Sequence, residues 1–138
     1  MPHWNEPRIV HLDARAALQA ALDAVDGPLL AFVEFDVDEF NTLYLAEEAI
    51  SMYPDEEAMI DHFERIHSYV HIDFNERQLF TDTIVPVATR VRYIATSTDA
   101  LTMVRYYHGD DGLFFALTPD EDVDRVVKAV DAALEAPP

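Results

Sequence analysis

Residues 89–121 read TRVRYIATSTDALTMVRYYHGDDGLFFALTPDE. Within this stretch the apolar period is two, and three β-rich runs stand out at Thr89–Thr96, Leu101–His108 and Leu113–Leu117. Ser97-Thr98-Asp99-Ala100 and Gly109-Asp110-Asp111-Gly112 separate them, both rich in residues that favour tight turns. The reading is an antiparallel meander of three strands. Its last strand runs into Thr118-Pro119-Asp120-Glu121. There Thr118 can cap a helix, Pro119 suits the first helical position and Glu121 completes a capping box. The helix so started carries Val123, Val126, Val127, Val130 and Leu134 on one face and stops before Pro137-Pro138.

Upstream, Leu18, Ala21, Leu22 and Val25 lie at helical spacing within Leu12–Val25, and Gly27-Pro28 stops that helix. Leu29–Phe35 is continuously apolar, aromatic and β-branched, so it reads as a strand buried on both faces. A second helix is expected after it, capped by Asp36 or Asp38, striped by Phe40, Leu43 and Tyr44 and ended by Pro54. A third follows Asp55-Glu56-Glu57, with Met59, Phe63, Ile66 and Val70 at helical period and an end between Ile72 and Gln78. The order helix, strand, helix, helix, three strands, helix defines an α+β domain: an antiparallel sheet carrying about four helices. One globular domain is expected over 1–138, with a flexible N-terminus at 1–8 and a C-terminal tail at 136–138.

Charge sets the chemistry that this domain can do. Twenty-seven Asp and Glu stand against nine Lys and Arg, for a net charge of -18. Such a surface repels itself at ordinary ionic strength, but at ~1 M salt the Debye length shrinks to roughly 3 Å. The chain is therefore expected to work in a salt-filled cytoplasm. Direct nucleic-acid or membrane-surface binding is disfavoured, because both need clustered cations. No cysteine is present, so disulfides and thiolate chemistry are excluded. No stretch approaches the ~18 apolar residues of a membrane span.

The element order resembles the roadblock, profilin and PAS-like group of small α+β regulatory folds. Phe40-Asn41-Thr42-Leu43-Tyr44-Leu45, His67-Ser68-Tyr69-Val70-His71-Ile72-Asp73-Phe74 and Gly112-Leu113-Phe114-Phe115-Ala116-Leu117 also resemble small acidic haloarchaeal proteins of uncharacterised families. That likeness implies a halophilic habitat and a shared fold, and no activity.

Four constellations could carry chemistry. Asp36-Val37-Asp38 after a hydrophobic strand is similar to the nucleophile motif of haloacid-dehalogenase-type phosphohydrolases, in which Asp36 would attack phosphorus and Asp38 handle the proton around Mg2+. That family needs a doubly wound parallel sheet, and the sole lysine, Lys128, sits mid-helix, so helix capping by these carboxylates is the rival reading. His67 and His71, four apart and near His62, have the spacing that puts two imidazoles on one helix face for a metal. No zinc-hydrolase Glu follows His67, so solvated or capping histidines are the alternative. If the first hairpin turns about Thr98-Asp99, Arg92 falls opposite Arg105 with Arg90 on the same face, a patch for an anion or for salt bridges. Met103, Tyr107, Phe114 and Ile94 share that face and need a cover, either helices or another subunit.

These features favour a non-enzymatic cytoplasmic regulatory or adaptor domain that acts through protein contacts, with a homodimer in view and no cofactor. The alternative is an anionic-ligand sensor using Arg90, Arg92 and Arg105. A Mg-dependent phosphohydrolase using Asp36 and Asp38 is the third reading.

Overall fold

The computed structural model describes residues 2–135. In chain order the elements are β1 (His3–Trp4), α1 (Ala14–Ala24), β2 (Leu29–Phe35), β3 (Phe40–Leu45), α2 (Glu47–Ile50), α3 (Glu56–His67) and α4 (Val70–Leu79), followed by a π-helical turn at Phe80–Ile84. Then come β4 (Tyr93–Ser97), β5 (Thr102–His108), β6 (Asp111–Leu117) and α5 (Val123–Glu135). The six strands form one sheet in the order β1-β3-β2-β6-β5-β4, antiparallel throughout. The α+β class and the C-terminal meander are as the sequence indicates.

The continuous apolar run of β2 is explained by its place between β3 and β6, with helices on both faces of the sheet. On one face α1 and α5 lie together over Phe32, Leu43, Val104, Leu113, Phe115 and Leu117. Ala14, Ala17 and Ala21 of α1 and Val126, Val127 and Val130 of α5 are buried in this core, and these short side chains let the two helices approach closely. Phe32 and Phe115, directly paired across β2 and β6, stack with ring centroids 5.5 Å apart. The other face is thinner. Ala31, Leu45, Ala49 and Ala116 form a small buried cluster under α2, with Met59, Phe63 and Phe114 packed against it. Helix α3 buries no residue and α4 buries only Asp73.

Several expectations need correction. Phe40–Leu45 is a strand, and only Glu47–Ile50 of the expected second helix is helical. Asp36 is the reason: its Oδ1 accepts the N–H groups of Asp38 and Glu39, each at 2.8 Å, and its own N–H donates to Glu39 O. This side-chain turn folds β3 back on β2 as a hairpin and caps no helix. At the N-terminus His3 and Trp4 pair with Leu45 and Tyr44. The tail expected at 136–138 lies outside the described residues.

The box at Thr118–Glu121 does not start the last helix. Asp122 receives the Arg125 N–H at the start of α5, while the buried Glu121 carboxylate accepts the N–H groups of Asp26 and Gly27 between α1 and β2. Finally, β4 begins at Tyr93 and is shorter than the run from Thr89 to Thr96. Its hairpin has a four-residue loop, Thr98 to Leu101, because Thr98 Oγ1 takes the N–H groups of Ala100 and Leu101.

Candidate functional site

That longer loop moves the pairing register, so Arg105 lies opposite Ile94 and Arg92 falls beside Tyr107, whose N–H donates to Arg92 O. The arginine patch consequently splits. Arg92 reaches to the α5 side, where it pairs with Asp131 at 3.2 Å, and Asp131 also accepts the Tyr106 hydroxyl at 2.5 Å. Arg90 and Arg92 both act electrostatically on Tyr106, whose phenol is nonetheless pushed well above its ordinary pKa by burial and by Asp131. Arg105 points to the opposite face, beneath α4. Of the three arginines expected to cluster, Arg105 alone is therefore found in the network on the α3–α4 side.

Arg105 belongs to a compact network there. Asp73, 7 % exposed, accepts the Tyr107 hydroxyl and lies 3.3 Å from Arg105 Nε; Arg105 also donates to Thr96 Oγ1 at 3.1 Å. The Arg77 guanidinium stands 4.1 Å from the Tyr107 ring centroid and 5.0 Å from that of Phe74, and donates to Gly109 O. Burial first, then the Asp73 hydrogen bond and charge, drive the Tyr107 phenol far above its ordinary pKa. Arg77 and Arg105 oppose that rise without cancelling it. Tyr107 thus remains a hydrogen-bond donor to Asp73 rather than a base.

Beside this network lies a cavity of about 220 Å³ between the sheet and the α3–α4 junction. Its floor includes Val33, Phe35, Met103 and Phe114, and its roof Phe63, Ile66 and Val70. Arg105, Asp73 and His67 supply the polar groups of its wall, and Tyr69, 56 % exposed, borders it. Met103 and Phe114 thus line a cavity under helices, whereas Tyr107 is buried at 2 % exposure.

The histidines do not assemble. The helix breaks at Ser68-Tyr69, leaving His67 at the end of α3 and His71 near the start of α4. The His67 Nε2 lies 2.8 Å from Asp36 O, the His71 Nδ1 2.9 Å from Ser68 O, and His62 pairs with the Tyr53 hydroxyl. Among the described residues no group of three or more His, Cys, Asp or Glu could hold a metal ion. The Asp36 carboxylate is engaged by its own turn, as described, and follows a strand of an antiparallel sheet.

A second surface was not anticipated. Leu79, Phe80, Ile84, Val85 and Val87 are exposed, Val87 to 90 %. This apolar segment follows α4 and leads along the chain into β4, which occupies one edge of the sheet. The signal for it in the sequence is a run of Ile, Val and Pro with no acidic neighbour beyond Asp82.

No family model matches the chain, and no curated protein does. Among solved structures it is similar to a Roadblock/LC7 domain from Streptomyces avermitilis, with 10% identity and a TM-score of 0.56 over 85% of this chain and 88% of that one. A further similarity is to MglC from Myxococcus xanthus, at 13% identity and a TM-score of 0.47 over 87% and 92%. The first likeness establishes the fold: the chain has the architecture of a Roadblock/LC7 domain.

Proposed function

We infer that this chain is a non-enzymatic regulatory or adaptor domain that acts through protein contacts in a salt-rich cytoplasm, and that its first partner is a second copy of itself. The observation that carries this reading is the β4 edge and the segment leading into it. Residues 83–98 contain no Asp or Glu, in a chain that has 27 of them, and they include the exposed Ile84, Val85 and Val87 and the whole of β4. An edge strand that itself carries no charged residue, and beside which no described strand is added, is a template for pairing with another strand. On a molecule of net charge -18, it is also the surface where two copies meet with least repulsion.

A stable pair needs about 1,000 Å² of buried surface, more than a strand of five residues supplies, so the apolar segment at 79–87 must share the contact. The fold likeness supports a regulatory role, because the element order already resembles the small regulatory folds of the roadblock and profilin group. No helix among the described residues is long and apolar enough to cross a membrane.

Size-exclusion chromatography with light scattering in molar KCl tests the reading. The wild-type chain is expected to run as a dimer. Ala95→Glu on the exposed edge and Ile84→Asp in the exposed segment are each expected to give monomers with unchanged circular dichroism. A wild-type monomer across the accessible concentration range would defeat the pairing.

A further inference from the structure

We propose that the cavity between the sheet and the α3–α4 junction is a binding site for a small aromatic carboxylate, its ring held among Phe35, Phe63, Val70 and Phe114 and its carboxylate on Arg105. The inference does not depend on the self-association argued above, because it concerns the covered face of the sheet and not its edge.

Size is the first argument. An apolar cavity of roughly 150 Å³ is known to hold benzene. The space here is about 220 Å³, room for one ring and a short acid chain and too little for a nucleotide. Wall chemistry is the second. The floor and roof are aromatic and aliphatic, so water inside would find few partners, whereas a ring would gain dispersion contact and bury apolar area.

The third argument fixes the polar end of the ligand. Arg105 Nε is buried and makes no hydrogen bond. Its one nearby carboxylate, Asp73, lies at 3.3 Å, and the same Oδ2 already accepts the Tyr107 hydroxyl. Arg77 Nε and Nη1, on the other side of Tyr107, are also buried without an acceptor. The network therefore holds two guanidiniums to one carboxylate, and what it lacks is acceptor oxygens. A ligand carboxylate in the cavity supplies acceptors to Arg105, the one of the two that lines it, and a charge-assisted hydrogen bond to guanidinium is the strong kind. A ligand cation would meet the Arg105 guanidinium, and a purely apolar ligand would leave Arg105 without a further acceptor.

The roof provides access. No residue of α3 and only Asp73 of α4 is fully buried, so their junction is the most loosely held cover of the sheet.

The test is methyl NMR of the full chain in molar KCl with 13C-labelled methionine methyls. Among the described methionines, Met52, Met59 and Met103, Met103 alone lines the cavity, and Met52 is 67 % exposed. Titration with 3-phenylpropionate is expected to move the Met103 methyl saturably by ring current and to leave Met52 in place. The neutral 3-phenylpropanol is expected to bind at least roughly tenfold more weakly, the loss of one charge-assisted bond. Val70→Trp, which fills the cavity from its roof, should abolish the titration. Arg105→Lys, which keeps the charge and loses the planar fork, should weaken it by about tenfold. A silent Met103 in the wild-type chain, equal affinity for the alcohol, or unchanged binding by a folded Val70→Trp variant would each overturn the proposal. Ala95→Glu should still bind 3-phenylpropionate, and Val70→Trp should still elute like the wild type, so failure of this site and failure of the pairing are read separately.

Discussion

Glu34, the penultimate residue of β2, has no solvent exposure at all, which for a carboxylate demands a full set of donors. It has them. Oε2 accepts the Arg8 N–H at 2.6 Å and the Asn41 side-chain amide at 2.7 Å, and Oε1 accepts the N–H groups of Ile9 and Val10. Asp111 on β6 does the same one step along, taking the N–H groups of His11 and Leu12 on Oδ2. Two carboxylates planted on the sheet thereby take the N–H groups of residues 8–12 and tie that segment down. Glu34→Ala should leave these donors unsatisfied or release the segment to water, costing about 2 to 4 kcal/mol. Native-state hydrogen exchange should show Ile9 and Val10 opening at far lower free energy than the sheet. Protection of those two amides equal to the wild type would mean that other contacts hold the segment. The sequence offered this in part: a single charge inside an otherwise apolar strand signals buried donors, but nothing local says that they come from the backbone of residues 8–10.

At the scale of elements, β3 shows why a strand can pass for a helix. Phe32 pairs with Tyr44 and the next residue, Val33, with Thr42, so Leu43 is the extra residue of a bulge. A bulge places two consecutive side chains toward one face, and Leu43 and Tyr44 both pack on the α1–α5 core. The result is apolar residues at 40, 43 and 44, the spacing of a helix turn. The unbulged β6 and the helices with a plain stripe, α1 and α5, were legible because their period is undisturbed, and β2, which carries an extra residue at Leu30, was legible because it is apolar almost throughout. The split of the arginines was not legible, since a loop of four residues in place of two changes every pairing and only the Thr98 side chain decides it. The cavity could not be read either, as it comes from the loose seat of α3 and α4 on the sheet. One interlock between strands is specific enough to test. Gly112 pairs with Phe35, and the Phe35 ring lies across it so closely that a Cβ there would fall inside van der Waals contact with ring carbons. Gly112→Ala should therefore displace Phe35 from Tyr107 and from the cavity floor, lowering stability by about 1 to 3 kcal/mol. A melting temperature like that of the wild type would show that the ring swings away freely.

For the molecule as a whole, the cations are too few to neutralise the surface and are spent locally. Arg8 pairs with Glu39, Arg15 with Glu6, Arg125 with Asp26 and Lys128 with Asp124, all across exposed side chains. Exposed pairs of this kind contribute about 0 to 1 kcal/mol each and weaken further in salt, so they do not set the salt response. The remaining acidic excess does. In ~0.1 M KCl the Debye length is roughly 10 Å and neighbouring carboxylates repel; in ~1 M KCl it is roughly 3 Å and they do not. Thermal stability should therefore rise steeply with KCl over that range, opposite to the response of a protein held by surface ion pairs. Salt also strengthens apolar burial for some ions, so charge must be separated from that effect. Asp61→Asn, Glu64→Gln and Glu76→Gln together remove three exposed carboxylates from the thinly packed α3–α4 layer without touching a cap or a described ion pair. If repulsion governs, this triple variant reaches the wild-type melting temperature at lower KCl, and the two curves converge in molar salt. Parallel curves would assign the dependence to apolar burial, and a flat wild-type curve would remove the high-salt habitat from the reading of the charge.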